Sequence, residues 1–277
     1  MRKLLRVLGI KQLELLGQSA TRIVNAVNRE IRRRKAKSQI ITSITSFDST
    51  EQLRPSVAED HAPWLDIVIE PSHIPGMVSR EERQYYNYLG RFYSGKGMAI
   101  ELGPWLGCST ASIVNGLIPN PHFSGKKLYV YDDFVWRADW MNNHVPKAEQ
   151  LENHQDFQFL FEKYTQPIGK YLAVEKRKII SYDGNESLPQ LNWDKGPIEI
   201  MYIDCGRTFE ANEAWYKIFV RFFLPGITFL VLQDWQMHSE IPVKWYNQIK
   251  QFVDSKGSQL QPIHELRNGG VGTFLYR

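Results

Sequence analysis

The chain has 277 residues, 43% of them hydrophobic and 23% charged, which is enough apolar material for a packed core and excludes disorder as the main state. Its formal charge of +4 is unevenly placed: residues 1–37 hold eleven Lys/Arg against Glu14 and Glu30, a local +9, and residues 38–277 carry −5. That distribution speaks against a uniformly basic nucleic-acid surface, and no apolar run nears the roughly 18 residues of a membrane-spanning helix.

Residues 1–37 place Leu4, Leu5, Val7, Leu8, Leu13, Leu15, Leu16, Ile23, Val24, Val27 and Ile31 among the basic residues at roughly helical spacing, so one or two amphipathic helices are expected. Two readings stand side by side. One is peripheral contact with an anionic membrane surface, at about 1 kcal/mol per basic residue; the other is a solvated helix packed on its own domain or on a second subunit of an oligomer. Lys11 and Glu14 interrupt the apolar stretch that a secretory signal would need. Residues 38–62, rich in Ser, Thr, Asp and Gln, read as a connector, so residues 1–60 form an extension and 61–277 the main domain. Cys108 and Cys205 form no metal-spacing or disulfide pattern, and a reducing, cytoplasmic setting is the expectation.

A short strand is expected at Trp64–Ile69, a turn at 71–76, and a helix from Ser79, with Glu81 and Glu82 in its first turn, to about Tyr93. From Met98 short apolar strands alternate with helical stretches. Strands are expected at 98–102, 127–131, 178–181, 198–203, 228–232 and 271–276, and helices at about 109–116, 150–164, 209–222 and 243–255. The alternation predicts a doubly wound, Rossmann-like α/β domain with a mostly parallel sheet.

In such a sheet the turn after the first strand governs what is bound. Here it reads Glu101-Leu102-Gly103-Pro104-Trp105-Leu106-Gly107-Cys108-Ser109, an E-x-G-x-x-x-G spacing rather than the G-x-G-x-x-G of a dinucleotide site. A pyrophosphate would lack the third glycine and meet a carboxylate. The second strand ends in Tyr131-Asp132-Asp133-Phe134, where an acid can grip a ribose diol. Asp183-Gly184-Asn185 is a polar turn suited to an adenine edge, and the next strands end at Asp204 and Asp234. Acids at successive strand tips point to a nucleoside-like ligand without phosphates.

These blocks, with Ile74-Pro75-Gly76-Met77, Tyr202-Ile203-Asp204, Pro225-Gly226 and Gln233-Asp234-Trp235, resemble the class I S-adenosylmethionine-dependent methyltransferases, in their O-methyltransferase-like branch, over roughly residues 74–277. The resemblance implies a seven-stranded sheet with an antiparallel C-terminal strand and S-adenosylmethionine (SAM) as cofactor. It also implies that Glu101, Gly103, Trp105, Gly107 and Ser109 hold the methionine part. Asp132 or Asp133 would bind the ribose, Asp183 and Gly184 would flank the adenine, and Asp204 would border the cofactor.

Methyl transfer to a hydroxyl leaves one proton to be taken up, so Asp204, Asp234 and His238 are the candidate catalytic residues, and without a metal His238, a residue type that ordinarily titrates near neutrality, is the expected base. Related enzymes that use a divalent cation carry an Asp-x-Asp-His-like run at the fourth strand tip. This chain has Asp204-Cys205-Gly206-Arg207 there, leaving Asp204 and Asp234 as the only likeness to a ligand set, so metal dependence is not favoured. Arg207 is read either as an anchor for an anionic substrate or as a partner of Glu210. The long aromatic segment 134–144 suits a substrate loop and a sugar or other stacked ring, giving a small-molecule or saccharide acceptor. The rival reading is a non-catalytic SAM-binding scaffold recruited through the basic N-terminus.

Overall fold

The computed structural model describes residues 62–70, 72–235, 247–266 and 270–277; the basic extension, most of the connector and His238 lie outside them. Helix α1 (Arg80–Arg91) starts where its sequence signals it. The Ser79 hydroxyl accepts from the Glu82 N–H at 3.2 Å, and the Glu82 carboxylate accepts from the Ser79 N–H at 2.6 Å, a reciprocal cap that satisfies two otherwise orphaned donors. The strand expected at 64–69 is not formed. Pro63–Asp66 is instead a 3-10 turn, opened by a proline whose fixed φ suits a helical start. The Gln84 amide donates to the Leu65 and Ile67 carbonyls, occupying acceptors that a neighbouring strand would need.

The sheet comprises β1 (Met98–Leu102), β2 (Leu128–Asp132), β3 (Leu172–Lys176), β4 (Ile198–Ile203), β5 (Phe229–Leu232), β6 (Leu260–Glu265) and β7 (Gly272–Tyr276), in the order β3-β2-β1-β4-β5-β7-β6. The first five are parallel, and β7 runs antiparallel to both β5 and β6. Every residue of β4 is buried, as a strand covered on both faces requires. One face packs on α1 and α2 (Cys108–Leu117), the other on α4 (Phe209–Phe219) and α5 (Gln248–Lys256), where Trp215, Phe219 and Phe252 are fully buried. The helix expected at 150–164 is confined to α3 (Gln158–Thr165).

Two strand expectations need correction. The third strand is 172–176, in register with β2 from Leu128↔Leu172 to Asp132↔Lys176, while Lys178 makes only an isolated bridge to Gln190. The apolar run 178–181 is a loop segment, and the true strand is an edge whose charged residues mask it. Strand β6, the seventh of the sheet, is not among the strands placed from the sequence, because Pro262 and the polar Gln261, His264 and Glu265 hide its pattern. Proline is tolerated there because β6 is the outermost strand.

Helices α1 and α2 approach backbone to backbone. A Cβ at Gly116 would lie 2.1 Å from the Asn87 carbonyl oxygen, and one at Gly90 would lie 2.8 Å from the Ile113 carbonyl oxygen. This contact sets the α2 N-terminus over the end of β1, where the chain order reverses between β1 and β4.

Candidate active site

A cavity of about 820 Å³ opens at the carboxyl ends of the central strands, where strand order reversal leaves a crevice in this architecture. At the β1 tip Gly103 has φ +79°, and a Cβ there would meet the Asp204 carbonyl oxygen at 2.4 Å; only glycine lets the β1 and β4 tips touch. Gly103, Trp105 and Ser109 line the cavity. Gly107 does not. It caps α2 at φ +93°, and its missing side chain makes room for Thr165 of α3, 2.4 Å from where a Cβ would sit. Glu101 is also set back. Its carboxylate lies buried beneath the turn, accepting from the Ser109 and Thr110 hydroxyls at 2.6 Å each, and burial pushes its pKa up to about 7 against those two hydrogen bonds.

The β2 tip separates the two neighbouring acids. Asp133 is locked: Arg137 donates to its oxygens at 3.1 and 2.7 Å, the Asn185 amide at 2.8 Å and the Val135 N–H at 3.1 Å. Burial opposes its charge, but the Arg137 fork and the other donors hold its pKa below the usual carboxylate range. Asp132 accepts from the Phe134 N–H at 2.7 Å and, like Asp133, lines the cavity, but without an arginine partner. Burial, then the adjoining Asp133 charge, raise its pKa. Beyond β3, Asn185, Tyr182, Ile179 and Arg177 complete this end. Asp183 and Gly184 lie outside the lining: the Asp183 side chain is 87% exposed and pairs with His154 at 3.0 Å, and Gly184, at φ +87°, packs against Val135 and His154.

Asp204, Arg207, Gln233 and Asp234 line the opposite end. Arg207 bonds through Nε to the Asp234 carboxylate, not to Glu210. Enclosure among protein atoms, then the Asp234 charge, raise the Asp204 pKa, with Arg207 opposing; burial raises that of Asp234, again against Arg207. Both line the cavity, Asp204 exposed to it and Asp234 largely buried behind Arg207. Among the described residues no group of three or more His, Cys, Asp or Glu side chains is arranged to hold a metal ion.

The wall formed by Pro75, Gly76, Met77, Val78 and Ser79 is held by a residue whose sequence signal was only a helix cap. Buried Glu82 accepts from Ser79 N–H, from Gly270 N–H at 3.0 Å and from the Gln233 amide at 2.8 Å, and Gln233 in turn accepts from the Tyr86 hydroxyl. One carboxylate thus ties the pre-helix segment, the β5 tip and the turn before β7. The aromatic side is Trp105 with Trp140 at 5.3 Å and His144 at 6.0 Å between ring centroids, joined by Met141 and Phe157. Trp105 (φ 45°), Phe134 (φ 50°) and Asp234 (φ 61°) hold left-handed backbone conformations at the ends of β1, β2 and β5, a clustering of strain that marks functional sites.

The charges of the lining are the most informative feature. Its three arginines are each held by a carboxylate: Arg137 by Asp133, Arg177 by Glu175 and Arg207 by Asp234. Asp132, Asp204 and Glu82 are additional acids, and the lining contains no lysine. Such a cavity suits a cation better than a polyanion.

No family model and no curated protein matches the chain. Similar solved structures include cofactor-bound Rv0187 from MTB, at 16% identity and TM-score 0.48 over 74% of this chain and 84% of that one. The O-methyltransferase TomG from Streptomyces achromogenes, in complex with SAM, is 13% identical at TM-score 0.45 over 72% and 81%. An SAH-bound Podospora anserina methyltransferase, PaMTH1, is 9% identical at TM-score 0.46 over 73% and 80%.

Proposed function

We propose that the chain is a SAM-dependent methyltransferase acting on an oxygen, a hydroxyl of a small-molecule or saccharide acceptor. The observation that carries this reading is the acid-rich cavity whose every arginine is already paired, at a strand-order reversal with a glycine turn and a cavity-facing acid on the second strand. A diphosphate would meet three arginines each already charge-paired with a carboxylate and no lysine, whereas a sulfonium nucleoside finds carboxylates. The volume, about 820 Å³, lies within the roughly 300–1,000 Å³ typical of ligand sites.

In this reading Asp132 receives the ribose hydroxyls, with Asp133 held out of competition by Arg137 and Asn185. Ile179, Tyr182 and Asn185 border the base, and Gly103 and Ser109 border the amino-acid end, with Glu101 fixing Ser109 from below. Bound SAM supplies an electrophilic methyl group on sulfur, and its transfer to a hydroxyl oxygen releases one proton. Asp204 takes that proton: it faces the cavity, and its raised pKa makes it a stronger base than an ordinary carboxylate. The aromatic group of Trp105, Trp140 and His144 offers flat faces to an acceptor ring. Holding the reactants together can contribute about 7–11 kcal/mol to lowering the barrier.

Isothermal titration with SAM and S-adenosylhomocysteine (SAH), followed by transfer of labelled methyl to a panel of hydroxyl acceptors, tests the proposal. Saturable binding with transfer is expected. Absence of binding at millimolar ligand would refute it, and binding without transfer to any acceptor would favour the scaffold reading.

A further inference from the structure

Two carboxylates on adjacent strand tips, Asp204 and Asp234, face one cavity together with Arg207. Two acids so placed either bind a hard cation or need another positive group to relieve their repulsion. Here the positive group is part of the chain. Arg207 sits three residues beyond Asp204 on the loop between β4 and α4, and its Nε donates to Asp234 across 27 residues of sequence. Its side chain is 39% exposed, on the cavity side, while Asp234 is 12% exposed. The terminal guanidinium nitrogens make no hydrogen bond to a described residue, so their donors remain available to a ligand. Neither Cys205 nor Gly206, between them, offers an oxygen side chain to a metal.

We propose that Arg207 is a built-in cation of the transfer site: anchored on Asp234, its guanidinium takes the place of a divalent ion beside Asp204 and donates hydrogen bonds to the acceptor oxygen as that oxygen gives up its proton. The inference deepens the methyltransferase reading and rests on it for the acceptor's part, while the exclusion of a divalent ion is a property of this cluster alone. The acceptor hydroxyl proton passes to Asp204, and the negative charge growing on oxygen meets the guanidinium N–H groups, which are strong charge-assisted donors. Arginine suits this place because it stays protonated at any working pH and one of its nitrogens can anchor while the others bind. No metal is then required for the step.

The test uses the full chain and manganese as the probe. Mn²⁺ binding is followed by titration calorimetry and electron paramagnetic resonance for wild type, R207K, R207A and the double variant R207A/D204N. Wild type and R207K, which keep the cation, should show no saturable binding at millimolar Mn²⁺. R207A, with the two acids released, should bind at least about tenfold more tightly, and D204N should abolish that gain. Transfer by wild type should be unaffected by EDTA, while R207A should lose at least about a hundredfold in kcat with little change in SAH affinity. Wild-type Mn²⁺ binding that depends on Asp204, or an R207A variant as inert toward Mn²⁺ as wild type, overturns the proposal. If R207A fails to fold, R207Q fills the same space without charge and answers the same question. SAH titrated into the same samples separates the two ideas: a wild type that ignores SAH, beside an R207A that gains Mn²⁺, sinks the methyltransferase reading and leaves the built-in cation standing.

Discussion

Asp132 and Asp133 are adjacent and chemically identical, yet the fold gives them different work. Both line the cavity, but Asp133 is consumed by Arg137, Asn185 and Val135, whereas the Asp132 carboxylate accepts from the Phe134 N–H alone among backbone donors. Replacing Asp132 with Ala should weaken SAH binding by about 1–3 kcal/mol with little loss of stability. Replacing Asp133 with Ala strands the Arg137 charge and should lower the denaturation midpoint by the equivalent of about 2–4 kcal/mol; calorimetry and urea unfolding of both variants check the contrast. The raised pKa values of Asp132 and Asp204 give a second expectation. Both acids ionise as pH rises, and the charged forms attract a sulfonium but not a neutral thioether, so the affinity ratio of SAM to SAH should increase with pH. A flat ratio between pH 6 and 9 would count against carboxylates facing the sulfur. Sequence alone named both aspartates but left open which one binds, because the answer depends on Asn185, 52 residues away.

At the scale of elements, the α1–α2 contact and the β1–α2 joint position the wall of the cavity that Gly103, Trp105 and Ser109 line. Gly116→Ala forces a methyl group into the Asn87 carbonyl and should destabilise the domain by about 1–3 kcal/mol, read as a lowered midpoint in denaturant. Glu101 ties β1 to the first turn of α2. Its folded pKa of about 7 exceeds the ordinary 4.5, so the folded state binds more protons between those values and loses stability as pH rises through 7. Glu101→Gln removes that loss. The stability of the variant relative to wild type should therefore climb between pH 5 and 8, by about 1–3 kcal/mol; a pH-independent difference would contradict the buried, titrating carboxylate. The elements most legible in sequence were those with a local cause: the Ser79–Glu82 cap and the all-apolar β4. Strands β3 and β6 were obscured because edge strands carry charge, polarity and proline, and the run at 178–181 looked more strand-like than the strand beside it.

For the molecule as a whole, alternating strands and helices forecast the doubly wound sheet, and the acids at its strand tips forecast where a cavity opens. The forecast thinned where long-range partners decide. Gly107 and Glu101 serve the chain's own packing, Asp183 turns to solvent toward His154, and Glu82 joins three segments that no local pattern connects. Burial also shapes the pH response of the whole chain. His264, enclosed beside Trp64 and Tyr85, has its pKa lowered by burial to about 4. Its contribution is therefore intact above pH 6.5 and is lost as pH falls toward 4, by about 1–3 kcal/mol. His264→Phe should flatten that acid limb in urea titrations, and an unchanged limb would assign the loss elsewhere. The most direct measurement of the central claim is a crystal structure of the full chain grown with SAH. A single bound molecule is expected in the strand-tip cavity, ribose hydroxyls on Asp132 and sulfur toward Asp204 and Arg207. An SAH molecule bound elsewhere, or a cavity without it at saturating ligand, would contradict it.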